Sequence, residues 1–369
     1  MRTFVFTCLL LLGMTTFAQD ANFHIYLCLG QSNMEGNAKV EEQDTVAVDS
    51  RFQVLAAVDC SNLGRTKGNW YKAVPPLARC YTGLTPGDYF GRAMVANLPS
   101  NVRVGIINVA VGGCRIELFD KDNYQSYVET SPDWLKNMVK EYGGNPYARL
   151  VEMAKLAQKD GVIKGILLHQ GESNTNDKDW PLKVKGVYDN LLNDLGLSAA
   201  NVPLLAGEVV HADQNGVCAS MNTIIDSLPQ VIPTAHVISS AGCPAAFDNL
   251  HFTAEGYRML GARYAAKMLS ILGYGDWTSA QNMKLWYNRP AQDWLEALPL
   301  GNSRLGAMVF GGTAREELQL NEETFWAGGP YNNNNPKGLQ VLPEIRRLIF
   351  EGKTLEAQKL IDENYMTPQ

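Results

Sequence analysis

Phe23-His24-Ile25-Tyr26-Leu27-Cys28-Leu29-Gly30-Gln31-Ser32-Asn33-Met34 joins an almost unbroken apolar run to a polar turn that begins on glycine. Alternating polarity would mark a strand with one wet face, whereas a continuous run marks a strand buried on both faces, as in a parallel sheet. Four further runs of this kind follow, at residues 102–110, 162–169, 202–209 and 235–239. Between them, residues 147–160, 181–195 and 254–272 space their apolar side chains three or four apart, and Thr253 stands where an N-cap is needed. Alternating strands and helices imply right-handed crossovers and a three-layer α/β/α sandwich around a parallel sheet, of the flavodoxin-like kind. Residues 36–90 break the rhythm with Gly, Pro, Asn and Asp until a helical stretch near residues 89–97. They are expected to form a long excursion walling a cleft.

In open α/β sheets, sites form beyond the carboxyl ends of the strands, where loops converge. Here those ends read Gly30-Gln31-Ser32-Asn33-Met34, then Asn108 to Arg115 with Gly112-Gly113 at its centre, then His169-Gln170-Gly171-Glu172-Ser173-Asn174. The fifth run leads to Asp248-Asn249-Leu250-His251. A nucleophilic serine needs a base in hydrogen-bond reach, an acid that orients the base, and N–H donors for the oxyanion. Ser32 can be that nucleophile, with its own N–H as one donor, and Asp248 and His251, three apart on a loop, can face one cleft. Gly112 or Gly113 can bring a second N–H close, and the Gln170 amide is a candidate third donor. Gln31, Asn33, Glu172 and Asn174 are expected to meet substrate, as an amide-rich cleft suits sugar hydroxyls. Each feature alone has a plainer reading: the serine as a helix cap, Gly-Gly as a turn, Asp-x-x-His as wet surface, Glu172 as a buried ion-pair partner. Their joint occurrence at strand ends favours chemistry.

These motifs, in this order over residues 23–272, resemble the sialate O-acetylesterase and acetylxylan esterase domains of carbohydrate esterase family 6, within the SGNH hydrolases. The resemblance implies that Ser32 is the nucleophile, His251 the general base and Asp248 its orienting acid. It also implies an oxyanion hole from Ser32, the Gly-Gly turn and Gln170, with no metal and no cofactor. His169 departs from the Trp many relatives carry there, which bears on the shape of the acyl pocket. Because His251 must be neutral to accept a proton, activity should fall towards acid pH.

The remaining features set the context. With 369 residues, the chain exceeds what one core usually serves. Its 46% hydrophobic and 19% charged residues fit a globular protein. A net charge of -6 without a basic cluster argues against nucleic acid and for neutral polymers or small molecules. Arg2, the apolar residues 5–12 and Thr16-Phe17-Ala18 read as a signal peptide over residues 1–18. It is too short to span a membrane and directs the protein to a secreted or periplasmic place. Six cysteines follow it; an oxidising compartment permits disulfides among them, with the pairing left open, and Cys28 reads as core. The histidines and cysteines lack metal-site spacing.

Residues 19–272 are thus expected to be the esterase domain, 273–282 a linker, and 283–369 a second, β-rich domain with two C-terminal helical stretches. Residues 283–367, through Trp286-Tyr287, Arg304-Leu305-Gly306 and Phe325-Trp326, resemble the start of glycoside hydrolase family 95, the alpha-L-fucosidases and alpha-L-galactosidases. Ser303 stands where relatives usually have glycine. That family's catalytic carboxylates lie in a barrel downstream, so this stretch is expected to be truncated. Glu322 and Glu323, adjacent on a strand, would point to opposite faces and cannot flank one bond. The expected activity is therefore deacetylation of an oligo- or polysaccharide, joined to the beginning of a glycosidase. The alternative is a carbohydrate-binding module that keeps the cleft without the reaction.

Overall fold

The computed structural model describes residues 19–274, 287–302, 304–325 and 335–365. The leader, most of the linker, Leu285-Trp286 and Ser303 lie outside these. Two units divide the chain, Met1–Lys284 and Leu285–Gln369.

The first unit is built on a seven-stranded sheet. Its strands are β1 (Asp20–Gly30), β2 (Phe52–Leu55), β3 (Trp70–Lys72), β4 (Arg103–Ala110), β5 (Gly161–His169), β6 (Leu204–Gly207) and β7 (Ala235–Ile238), in the order β3-β2-β4-β1-β5-β6-β7. All pairings are parallel except β2 with β3, which is antiparallel at the edge. The excursion therefore does more than wall a cleft, because β2 and β3 extend the sheet beyond β4. Phe52-Gln53-Val54-Leu55 is too short and too mixed to stand out among its Gly- and Pro-rich neighbours. Cys60 and Cys80, both in the excursion, form a disulfide with Cα atoms 5.3 Å apart.

β1 lies at the centre and is buried on both sides. Phe23, Ile25, Leu27 and Leu29 enter one core with helices Pro146–Ala157 and Trp180–Leu195. Tyr26 and Cys28 enter the other, with helices Pro86–Asn97 and Ala254–Ile271. Period-two alternation of the strand thus feeds two cores, the physical content of a three-layer sandwich. The expected cap is in place, with Gly256 N–H donating to Thr253 Oγ1 at 3.1 Å, and a further one, Gly87 N–H to Thr85 Oγ1 at 3.1 Å, opens helix Pro86–Asn97.

Register does the rest. Gly30 of β1 stands opposite both Ala110 of β4 and His169 of β5, so three strands end level. Gly30 adopts φ +148°, and a Cβ built there would meet the His169 carbonyl oxygen at 2.0 Å. Only glycine lets the chain leave β1 so close to β5.

The second unit holds an antiparallel sheet of β8 (Leu298–Gly301), β9 (Leu305–Val309) and β10 (Leu318–Glu322), in the order β10-β9-β8. Helices Gly338–Phe350 and Thr354–Asn364 follow, packed through Ile345, Leu348 and Ala357. Glu322 accepts a hydrogen bond from Arg304 Nε at 3.0 Å, and Glu323 opens a single helical turn. No described helix is long and apolar enough to cross a membrane.

Candidate active site

Ser32 is the first residue of a one-turn helix, Ser32–Glu35, that starts as β1 ends. Its hydroxyl lies 2.8 Å from His251 Nε2, and His251 Nδ1 lies 2.7 Å from Asp248 Oδ2. An ionised carboxylate only accepts, so Nδ1 carries the proton and Nε2 is left to receive one from Ser32. The other Asp248 oxygen accepts the backbone N–H groups of Leu250 and His251, each at 3.0 Å. Partial burial pushes the Asp248 carboxyl up, but the His251 ring and these two N–H groups outweigh it and hold it at about 2. Asn249, between them at φ 52°, turns the loop so that acid and base share one side. Ser32, Asp248 and His251 are therefore brought together as the sequence motifs require.

The Gly-Gly turn closes the other side. A Cβ on Gly112 would lie 3.8 Å from Ser32 Cβ and 2.8 Å from Glu35 Oε2. The Gly112 N–H helps hold the Glu35 carboxylate. Gly113, at φ +70°, follows, and its carbonyl accepts from Ser173 Oγ at 3.0 Å. With the Gly112 N–H turned to Glu35, Ser32 and Gly113 are left as the candidate oxyanion donors of the sequence reading.

Gln170 is not among them, which corrects the sequence reading. The side chain is fully buried. Its amide nitrogen is committed to Asn174 Oδ1 at 2.8 Å, Gln31 Oε1 at 3.0 Å and the Cys114 carbonyl at 3.3 Å, and its oxygen accepts from Trp180 Nε1. A saturated, buried amide has nothing to offer a substrate. Gln170 instead holds Gln31, whose oxygen also takes the Ser173 N–H at 3.2 Å.

The expected substrate contacts are corrected on the same ground. Asn33, Gln31, Asn174 and Glu172 are all buried, at 0%, 2%, 2% and 8% exposure. Asn33 Nδ2 donates to Glu172 Oε1 at 2.5 Å and to the Leu250 carbonyl at 3.1 Å, while Tyr257 donates to Asn33 Oδ1 at 2.6 Å. This network straps the 248–251 loop to the helix of Ser32. Asn174 accepts from Ile116 N–H at 2.9 Å and donates to Glu117 and Asp177, each at 3.1 Å. The amides are a scaffold beneath the cleft, and polar groups taken from water are bonded for that reason. Burial raises the Glu172 carboxyl, offset in part by the Asn33 bond. His169 is fully buried, edge-on to Phe252 with ring centroids 5.7 Å apart, and burial lowers its imidazole to about 3. It is core rather than a wall of the acyl pocket.

Sequence reasoning missed Arg79 and Tyr257. Arg79 bonds the buried Glu35 carboxylate through Nη2 at 2.5 Å and Nε at 3.2 Å. Its neighbour Cys80 carries the disulfide.

Residues 22–270 match the family described as carbohydrate esterase, sialic acid-specific acetylesterase. Residues 285–369 match glycosyl hydrolase family 65, N-terminal domain. A probable carbohydrate esterase of Arabidopsis thaliana is 25% identical over 261 residues, 67% of this chain and 90% of that protein. Alpha-L-fucosidase 2 of Arabidopsis thaliana is 43% identical over 75 residues, 20% of this chain and 9% of that protein. The chain thus spans only a small part of that relative. Among solved structures, an Arabidopsis thaliana protein superposes with a TM-score of 0.52 at 22% identity, covering 68% of this chain and 99% of its own. NanS superposes with a TM-score of 0.51 at 14% identity, covering 70% and 99%. These two structures share the fold of the first unit.

Proposed function

The chain belongs, through residues 22–270, to the carbohydrate esterases described as sialic acid-specific acetylesterases, and from this premise we propose that Ser32 removes O-acetyl groups from a sialate- or xylan-type carbohydrate. The observation that carries the reading is the chain of short contacts from Ser32 Oγ to His251 to Asp248, 2.8 and 2.7 Å long. Ser32 Oγ attacks the ester carbonyl as His251 Nε2 takes its proton, and Asp248 steadies the imidazolium. The N–H groups of Ser32 and Gly113 receive the oxyanion. As the tetrahedral adduct collapses, His251 returns the proton to the sugar oxygen, which leaves as a hydroxyl, and acetyl-Ser32 remains. Water then attacks the acyl group as His251 takes its proton, and on collapse His251 gives that proton to Ser32 Oγ, restoring the serine and releasing acetic acid, which ionises to acetate.

The leader over residues 1–18 supports a secreted or periplasmic protein, and the Cys60–Cys80 disulfide fits an oxidising compartment. The second unit is read as the start of an alpha-L-fucosidase or alpha-L-galactosidase of family 95 type, so that one longer protein would deacetylate and trim the same glycan. The full chain should release acetate from acetylated carbohydrate, and Ser32→Ala should abolish it. Equal release by both proteins would sink the assignment.

A further inference from the structure

Trp134 sits in the first turn of helix Asp133–Glu141, and the edge of its indole rests on the Gly112-Gly113 turn. A Cβ built on Gly113 would lie 2.6 Å from Trp134 Cη2 and 3.2 Å from Cζ3, so the six-membered ring touches the glycine directly. Yet 53% of Trp134 is exposed. The helix beneath it is pinned. Leu135 and Val139 are buried in the core, and Glu141 pairs with Arg79. Just beyond the helix, the Tyr142 hydroxyl donates to the Ala110 carbonyl at 3.2 Å. The ring is therefore held in place by one edge while much of its surface stays open.

Gly112, one residue before Gly113, approaches Ser32 closely, so only the width of a tight turn separates the indole from the reacting serine. A large apolar surface left in water at that place forgoes the stabilisation of burial. An acetyl methyl is too small to use it. A pyranose ring has an apolar C–H face of matching size and hydroxyls around its rim, so stacking covers the indole while the hydroxyls stay wet.

We infer that Trp134 is a sugar-binding platform that stacks on a pyranose ring of the acetylated substrate. The inference rests on Ser32 being the acyl-transferring serine. The test compares the full chain with Trp134→Ala and Trp134→Phe on acetylated xylo-oligosaccharide, an O-acetylated sialoside, and 4-nitrophenyl acetate and butyrate, esters without a sugar. In Trp134→Ala, the ratio of kcat/KM for the preferred sugar ester to that for 4-nitrophenyl acetate should fall about five- to tenfold, through KM. Trp134→Phe should recover most of the loss. An unchanged ratio, with both esters slowed alike, would show that the indole merely supports the turn. A changed preference between acetyl and butyryl esters would make it a wall of the acyl pocket; either result overturns the platform. Wild-type cleavage of 4-nitrophenyl acetate with neither sugar ester accepted also overturns it. Ser32→Ala run in parallel separates the two readings: activity there equal to wild type refutes the serine mechanism, whatever Trp134 does.

Discussion

Arg79 holds the Glu35 carboxylate at 2.5 Å, and that carboxylate sits at the end of the helix Ser32 begins. Burial raises the Glu35 carboxyl, and the Arg79 guanidinium opposes it. Both side chains are only 11% exposed. Removing one partner of a buried pair strands the other, so Arg79→Ala should lower unfolding stability by about 3 kcal/mol. Adding Glu35→Gln should restore part of it. Urea denaturation of the two variants checks this, and a midpoint for Arg79→Ala equal to wild type would contradict it.

Asp248→Asn should leave a folded protein whose kcat is down by about 10³- to 10⁴-fold, because an amide no longer selects the tautomer in which Nε2 accepts. The acid's own titration is far from the working range. Its folded value of about 2 lies below the ordinary one, so its contribution to stability is complete above about pH 4 and is lost as pH falls through about 2. A loss of wild-type activity well above that window therefore reports a group other than Asp248. Rate profiles from pH 4 to 8, alongside a folding probe, would show activity falling before structure does.

Asp88 predicts the opposite slope. It accepts the Thr85 N–H through one oxygen at 2.9 Å, while its other oxygen has no partner among the described residues. Complete burial pushes its carboxyl up to about 8. Between about pH 4 and 8 the folded state then binds one proton more than the unfolded state, so this group lowers stability as pH rises. Asp88→Asn, which keeps the acceptor and replaces the acidic proton by an amide, should flatten that decline. Unfolding midpoints at pH 5 and pH 8 for both proteins measure it.

Gln170→Leu separates a scaffold from an oxyanion donor. The change leaves Trp180 Nε1 without its acceptor and removes one donor from Gln31. Buried groups stranded in this way cost about 1–3 kcal/mol each, so the variant should melt early as well as react slowly. A slow variant of unaltered stability would return Gln170 to the oxyanion hole.

The legible parts of the sequence are those in which local chemistry and global position agree. The β1 run must be a strand buried on both faces, whatever surrounds it, and Ser32, Asp248 and His251 need each other wherever they lie. The polar residues next to them mislead because an amide in a loop looks solvent-facing, and only the level ending of β1, β4 and β5 shows that Gln31, Asn33, Gln170 and Asn174 lie under the cleft. Trp134 and Arg79 carry no local mark at all. Their closeness to Gly113 and Glu35 exists only after the helices are packed. The partners Cys60 and Cys80 could not be chosen from six cysteines by spacing alone.

The contact between Ser32 and His251 joins residues 219 positions apart. The nucleophile is therefore made almost first and its base almost last. While the chain is being synthesised, every strand of the sheet is complete before the proton acceptor exists, and the growing protein carries an inert serine. Reactivity requires His251, which stands just before the closing helix Ala254–Ile271. A chain cut short before His251 would lack the base, and would also lack Tyr257, Leu260 and Tyr264, which the closing helix adds to the second core, so acetate release serves as a readout of completed folding in this unit.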